Sequence, residues 1–257
     1  MDAQWSDELT EFIAESSKDH FIDRYNRSIV MDGLAAILSK PGARYIDVGC
    51  ASGYLLEEVV ERFPQAIVTG ADYFTGGFKE CQKRLPNVPL LQIDLTKTGL
   101  PSDQYDAMSA LNVLEHIQDD GSALKEIHRL LKPGGRVAIT VPAGPHLYDF
   151  YDEVHTHERR YARKELRDKI AASGLSLLRM NYFGAAIYPA FYLQKRWNQL
   201  RHGHRPLAEK KALAHRLMTQ GRRSPLMEKL HSWEMLAGKK VDFPFGVRLY
   251  ALAGKSV

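Results

Sequence analysis

The chain has 257 residues, 44% hydrophobic and 26% charged, an ordinary globular composition that excludes collagenous and low-complexity classes. Its formal net charge of +4 is too mild to argue for nucleic acid by itself. Only Cys50 and Cys81 are present, which excludes a disulfide framework and a cysteine zinc site, so the chain reads as cytoplasmic. The polar start Met1-Asp2-Ala3-Gln4-Trp5-Ser6-Asp7-Glu8 is unlike a secretory signal. The longest apolar run, Phe183 to Leu193, falls far short of the roughly 20 residues that span a bilayer.

Residues up to about 40 read as helical. Leu9, Phe12 and Ile13 share one face; Ile29, Val30, Leu34, Ile37 and Leu38 share another. Pro41-Gly42 stops that segment. Tyr45 to Val48 is a short apolar strand, Gly49 to Gly53 a turn, and Leu55 to Phe63 a helix ended by Pro64. Further strands follow at Ala66 to Ala71, Leu90 to Ile93, Tyr105 to Leu111 and Val137 to Val141. Helices lie between, around Gly77 to Leu85 and around Leu124 to Leu131; Lys132-Pro133-Gly134-Gly135 closes the second. Such alternation predicts a mostly parallel sheet with helices on both faces.

After Pro142 the rhythm changes. A polar, His-rich loop is expected from Gly144 to Tyr161, then a helix from Arg163 to Ser173. Leu175 to Tyr182 and Val247 to Ala253 read as the sixth and seventh strands. The predicted fold is an α/β, Rossmann-like, seven-stranded sheet with N-terminal helices and a helical insertion before the last strand. Three units are expected: a helical lid over 1–40, a main domain over 41–187 and 241–257, and a basic insertion over 188–240. The insertion holds twelve Lys or Arg, three Glu and no Asp, so the rest of the chain is net negative by five.

Ligands of open parallel sheets bind beyond the strands' carboxyl ends. Asp47, Asp72, Asp94 and Asn112 sit at or near four such ends. The turn Gly49-Cys50-Ala51-Ser52-Gly53 is short of side-chain bulk, so its backbone can approach a ligand. Asp72, 19 residues past Gly53, can accept from both hydroxyls of a ribose. The Gly-x-Ala-x-Gly spacing differs from the Gly-x-Gly-x-x-Gly of dinucleotide binders. A sharp turn with scattered surface acids is the bland alternative.

At these residues the chain resembles class I S-adenosylmethionine (SAM)-dependent methyltransferases. The matching pieces are Tyr45 through Gly53, Gly70-Ala71-Asp72, Gln92-Ile93-Asp94-Leu95, Tyr105-Asp106 through Asn112-Val113-Leu114-Glu115-His116, and Leu131 through Gly135. They come in family order across about residues 40 to 142. Ala51 departs from the more usual Gly, which a negative φ would accommodate. The resemblance implies SAM as cofactor. Asp47 and the backbone of Gly49, Cys50, Ala51 and Gly53 would hold its methionine end. Asp72, with the adjoining Tyr73, would meet the ribose, Asp94 with Leu95 the adenine, and Asn112 the floor near the methyl group. A narrower resemblance, through His20-Phe21 to Arg27, Tyr151 to Tyr161 and Pro244-Phe245-Gly246, is to bacterial methyltransferases of ill-defined substrate, some tied to envelope lipid or glycan synthesis.

Methyl transfer to an alcohol benefits from a base, for which His is suited. His116, His155, His157 and Tyr161 are the candidates, against capping, packing or solvated roles. On an extended loop His155 and His157 would share one face. Together with Asp152 they make an incomplete ligand set, so no metal is expected. Tyr25, Arg24 and Arg27 are candidates for a lid. The expected acceptor is an O or N of a small molecule, lipid or glycan. RNA methylation and a non-catalytic SAM-binding scaffold are the alternatives. The segment Ala190 to Trp197 mixes aromatic and basic residues, which fits a cover over the site or a peripheral membrane contact. Nucleic acid is disfavoured, and nothing in the sequence sets an oligomeric state.

Overall fold

The computed structural model describes residues 21–219, 233, 234, 237, 238 and 241–257. The expected helix face of Leu9, Phe12 and Ile13, and His231 of the insertion, lie outside the described residues.

The elements follow the predicted alternation. Helix α1 (Phe21–Leu38) leads into β1 (Arg44–Val48), α2 (Tyr54–Arg62), β2 (Ile67–Asp72), α3 (Phe78–Arg84), β3 (Leu90–Gln92) and β4 (Tyr105–Leu111). Then come α4 (Asp120–Leu130), β5 (Leu131–Pro142), α5 (Phe150–Val154), α6 (Arg163–Ala172), β6 (Ser176–Phe183), α7 (Tyr188–His202), α8 (Leu207–Thr219) and β7 (Arg248–Gly254). The seven strands lie in the order β3-β2-β1-β4-β5-β7-β6. The pairings from β3 to β5 are parallel; β7 runs antiparallel to both β5 and β6. The strand order reverses between β1 and β4, which opens a crevice at their carboxyl ends.

Side-chain alternation sorts the core into two layers. Ile46, Met108, Val137, Ile139 and Ala251 face α4 and α6, meeting Leu124, Ile127, Leu166 and Ile170. Tyr45, Ala107, Ala138 and Tyr250 face the other way, onto Leu34, Leu38, Leu56 and Val59 of α1 and α2. The described half of the 1–40 segment therefore builds the core instead of a lid. Tyr25 is buried edge-on against Phe183, and Arg27 pairs with Glu58 at 2.7 Å.

Two local expectations change. Lys132 to Gly135 belong to β5, whose pairing with β4 slips between Tyr105 and Ala107. The predicted loop after Pro142 contains α5. Asp149 caps it by accepting from the Tyr151 N–H, and Asp152 accepts from the Asp149 N–H in return.

Candidate functional site

The turn from β1 to α2 stands at the crevice floor. Gly49 and Gly53 have φ of 77° and 79°. A Cβ on Gly49 would lie 2.4 Å from Val113 Cγ2, and one on Gly53 2.3 Å from Cys81 Sγ. Both positions therefore require glycine by conformation and by space. Ala51 corrects the expectation of a negative φ: it sits at 45°, the left-handed region, at a cost of about 1–2 kcal/mol. Its N–H donates to Asp72 Oδ2 at 2.9 Å, which holds the strained peptide in place. Cys50 is buried, with burial pushing its thiol up, so only its backbone is on offer to a ligand.

Asp72 ends β2 with its other oxygen accepting from the Phe74 N–H at 3.0 Å. Each carboxylate oxygen keeps a lone pair for a further donor. Burial pushes its carboxyl up, opposed by those backbone N–H groups. Tyr73 and Phe74 beside it are exposed and meet edge to face at 5.0 Å, an apolar wall next to the carboxylate.

Asp47 is buried at the end of β1. Ser109 donates to it at 2.5 Å, and Tyr45 in turn reaches Ser109 at 2.5 Å. Burial pushes its carboxyl up to about 7; the Ser109 hydrogen bond opposes this and the Asp72 charge adds to it. Asp94 is exposed, with one oxygen accepting from the Thr96 N–H at 2.8 Å, while Leu95 is buried beneath it. Asn112 has φ 53° and its amide oxygen accepts from the Arg248 guanidinium. The residues expected at the cofactor thus gather at the ends of β1, β2, β3 and β4. Their donor set, carboxylates facing a crevice with an apolar wall, fits a cationic nucleoside.

The second half of the site lies beyond β4 and β5. His116 ends a single 3-10 turn, Leu114–His116, and hydrogen-bonds the Thr156 backbone. His157 packs edge-on against it, with ring centroids 4.8 Å apart. His155 lies 6.0 Å from His157. The two loop histidines do not share an extended face, because His155 caps α5 and Thr156 turns at φ 55°. Burial holds the His116 imidazole down to about 3 and the His155 imidazole down to about 4, so both are neutral at physiological pH. Asp152 joins as the partner of His157, accepting from Nδ1 at 2.9 Å. Tyr161 departs from the expected catalytic role. It is fully buried, and its hydroxyl serves the Leu114 carbonyl at 3.0 Å and Asp120 at 2.7 Å.

The basic insertion is wired into this half. Lys195 is buried and pairs with Asp149 at 2.6 Å and Asp152 at 3.1 Å. Arg160 adds a 2.8 Å pair to Asp152, and Asn198 donates to Asp149 at 2.8 Å. Lys210 pairs with Glu153 at 2.7 Å. Together Arg160, Lys195 and His157 hold the Asp152 carboxyl far below the usual range despite its burial. Sequence reasoning missed Glu115, Arg160, Lys195, Ser109 and Arg248 as parts of the site. Only the acids around Asp152 carried a signal, through their density in the loop.

The strand order and its reversal between β1 and β4 define a Rossmann-like α/β fold. Residues 46–139 match the model of a methyltransferase-domain family. It is 34% identical over 122 residues to a trans-aconitate 2-methyltransferase of Azoarcus sp. (strain BH72), covering 48% of this chain and 47% of that protein. The match thus spans about half the length of such relatives. Among solved structures, a putative methyltransferase in complex with the Trm112 activator of Haloferax volcanii superposes with a TM-score of 0.64 at 17% identity, covering 99% of this chain and 100% of that one. The [4+2]-cyclase SpnF superposes with a TM-score of 0.57 at 18% identity, over 90% of this chain and 81% of that one. The same fold therefore occurs in a protein named for a different reaction, and the fold alone does not decide activity.

Proposed function

We propose that the protein transfers the methyl group of SAM to an O or N of a small-molecule acceptor. The observation that carries this reading is Asp72. Its carboxylate is anchored by two backbone N–H groups at a strand end, beside an apolar wall and the strand-order reversal, which suits a ribose. Bound there, SAM supplies an activated methyl carbon on a cationic sulfur. Asp47 and the Gly49–Gly53 backbone would receive the methionine end, Asp94 and Leu95 the adenine. The acceptor would lie against His116, His155 and His157. His155 would take a proton from an alcohol acceptor. The trans-aconitate 2-methyltransferase relatives support a small-molecule acceptor.

Release of S-adenosylhomocysteine across a panel of alcohols, carboxylates and amines tests the reading. Turnover of the active acceptor should fall about 10²–10⁴-fold in His155→Ala, with SAM affinity unchanged. Full turnover in both His155→Ala and His157→Ala would remove the histidines from the chemistry. SAM binding with no turnover on any acceptor favours the scaffold alternative.

No helix among the described residues is long and apolar enough to cross a membrane. Leu193, Trp197 and Leu200, at helical spacing on α7, are exposed by 68%, 55% and 69%, with Arg196 and Arg201 nearby. This pattern supports a peripheral contact with anionic lipid, through which a lipid-linked acceptor would arrive. Co-sedimentation with phosphatidylserine vesicles, reduced in Trp197→Ala and by salt, is the expected result; no sedimentation at low salt would discard the contact.

A further inference from the structure

Beside the three histidines stands a side chain with no role in the proposed methyl transfer. Glu115 is fully buried, yet neither of its carboxylate oxygens has a hydrogen-bond partner. A buried carboxyl left this way is costly, so its retention calls for a partner the protein chain does not supply. Two imidazoles stand close to it, and the Arg248 and Arg160 charges also act on it without hydrogen-bonding it. One donor atom from each of Glu115, His116 and His157 lies within 4.8 Å of the others.

We infer that Glu115, His116 and His157 form a binding site for a divalent transition-metal ion, Zn²⁺ being the best match to two imidazoles and a carboxylate. Three protein ligands of this type leave a position open for water or a substrate oxygen. Mg²⁺ fits poorly, because it demands oxygen donors in octahedral array.

The surroundings have the form that metal ligands need. A ligating His commonly gives its other ring N–H to a carboxylate or a backbone carbonyl. His157 does so through Nδ1 to Asp152, which leaves Nε2 for the ion. His116 does so through its hydrogen bond to the Thr156 backbone. Asp152 is itself fixed by Arg160 and Lys195, so the support is rigid two layers deep. Those two cations are occupied by Asp149 and Asp152, and Arg248 donates to Asn112. Tetrahedral bonds of about 2.0–2.1 Å place donors about 3.3 Å apart, so loading draws the three side chains together by up to about 1.5 Å. The site deepens the proposed function and shares its location. An acceptor oxygen bound at the open position would become more acidic. His116 and His157 would then be ligands, leaving His155 as the base.

The test reads metal binding alone, so it stands whether or not methyl transfer is found. Wild-type protein stripped with a chelator and dialysed is titrated with Zn²⁺, and separately with Mg²⁺, by calorimetry. One Zn²⁺ per chain and no Mg²⁺ binding is expected. Glu115→Gln should weaken Zn²⁺ at least about 10-fold and His157→Ala about 100-fold, while His204→Ala, on an exposed residue, should not. Zn²⁺ should raise the melting temperature of wild type more than that of Glu115→Gln at the same concentration, with circular dichroism confirming that each variant is folded. Folded wild type that takes up no stoichiometric Zn²⁺, or wild-type affinity in folded Glu115→Gln and His157→Ala, overturns the site.

Discussion

Lys195→Ala should lower the free energy of unfolding by about 3 kcal/mol and the melting temperature by about 6–12 °C. The reason is the environment of the ammonium. Lys195 is 4% exposed and lies between Asp149 and Asp152, themselves 3% and 1% exposed. Removing one partner of a buried pair leaves the other charge uncompensated, which costs about 3–5 kcal/mol. The lower end applies because Asp149 keeps the Asn198 amide and Asp152 keeps Arg160. The loss should fall selectively on the histidine half of the site, since Lys195 ties α7 to the cap of α5. Hydrogen exchange should then quicken at α5 and α7 ahead of β1 and β4. An unchanged melting temperature would mean that α7 does not dock on α5 as described.

Asp72→Ala should weaken SAM binding about 100-fold or more. Two hydrogen bonds to a charged acceptor are worth about 1.5–3 kcal/mol each, and a loss near 3 kcal/mol is about 150-fold. The variant also releases the N–H groups of Ala51 and Phe74, so part of the loss comes through the turn. Asp72→Asn keeps the shape without the charge and should fall between. Wild-type affinity in Asp72→Ala, measured calorimetrically, would remove the ribose assignment. The same titrations across pH should report Asp47. Its carboxyl, raised to about 7 by burial, is largely protonated below that pH in the free protein. A cationic ligand favours the carboxylate and lowers the value in the complex. Affinity should therefore climb with pH up to about 7 and level off above it. Asp47→Asn should flatten that dependence.

The crevice was legible in the sequence because its parts are local. Asp47, Asp72, Asp94 and Asn112 each lie within two residues of a strand's end, and short apolar runs mark those strands. The turn glycines are legible for the same reason, since φ > 0 is a property of one residue. The positive φ of Ala51 is not legible locally, because the hydrogen bond that holds it comes from Asp72, 21 residues away. The histidine half of the site is assembled differently. His116 meets His157 across 41 positions, and Lys195 meets Asp149 across 46. Nothing in the neighbourhood of Lys195 in sequence separates it from the solvated cations of the same segment, because its burial is decided by the packing of α7 on α5. Tyr161 looked reactive as one of several polar aromatics in a loop. Its neighbours across the fold, Leu114 and Asp120, are what place it in the core.

By itself, then, the order of residues determined the alternating strands and helices, the glycine turn and the line of acids along one sheet edge. Periodicity and backbone preference act over a few residues, so the chain states them directly. Only the tertiary structure decided which histidines converge, that Glu115 is buried without a partner among them, and that the cations Lys195 and Lys210 of the insertion point inward. Those outcomes depend on charge and burial across long sequence separations, where the cost of desolvation selects one arrangement from many that the local sequence permits.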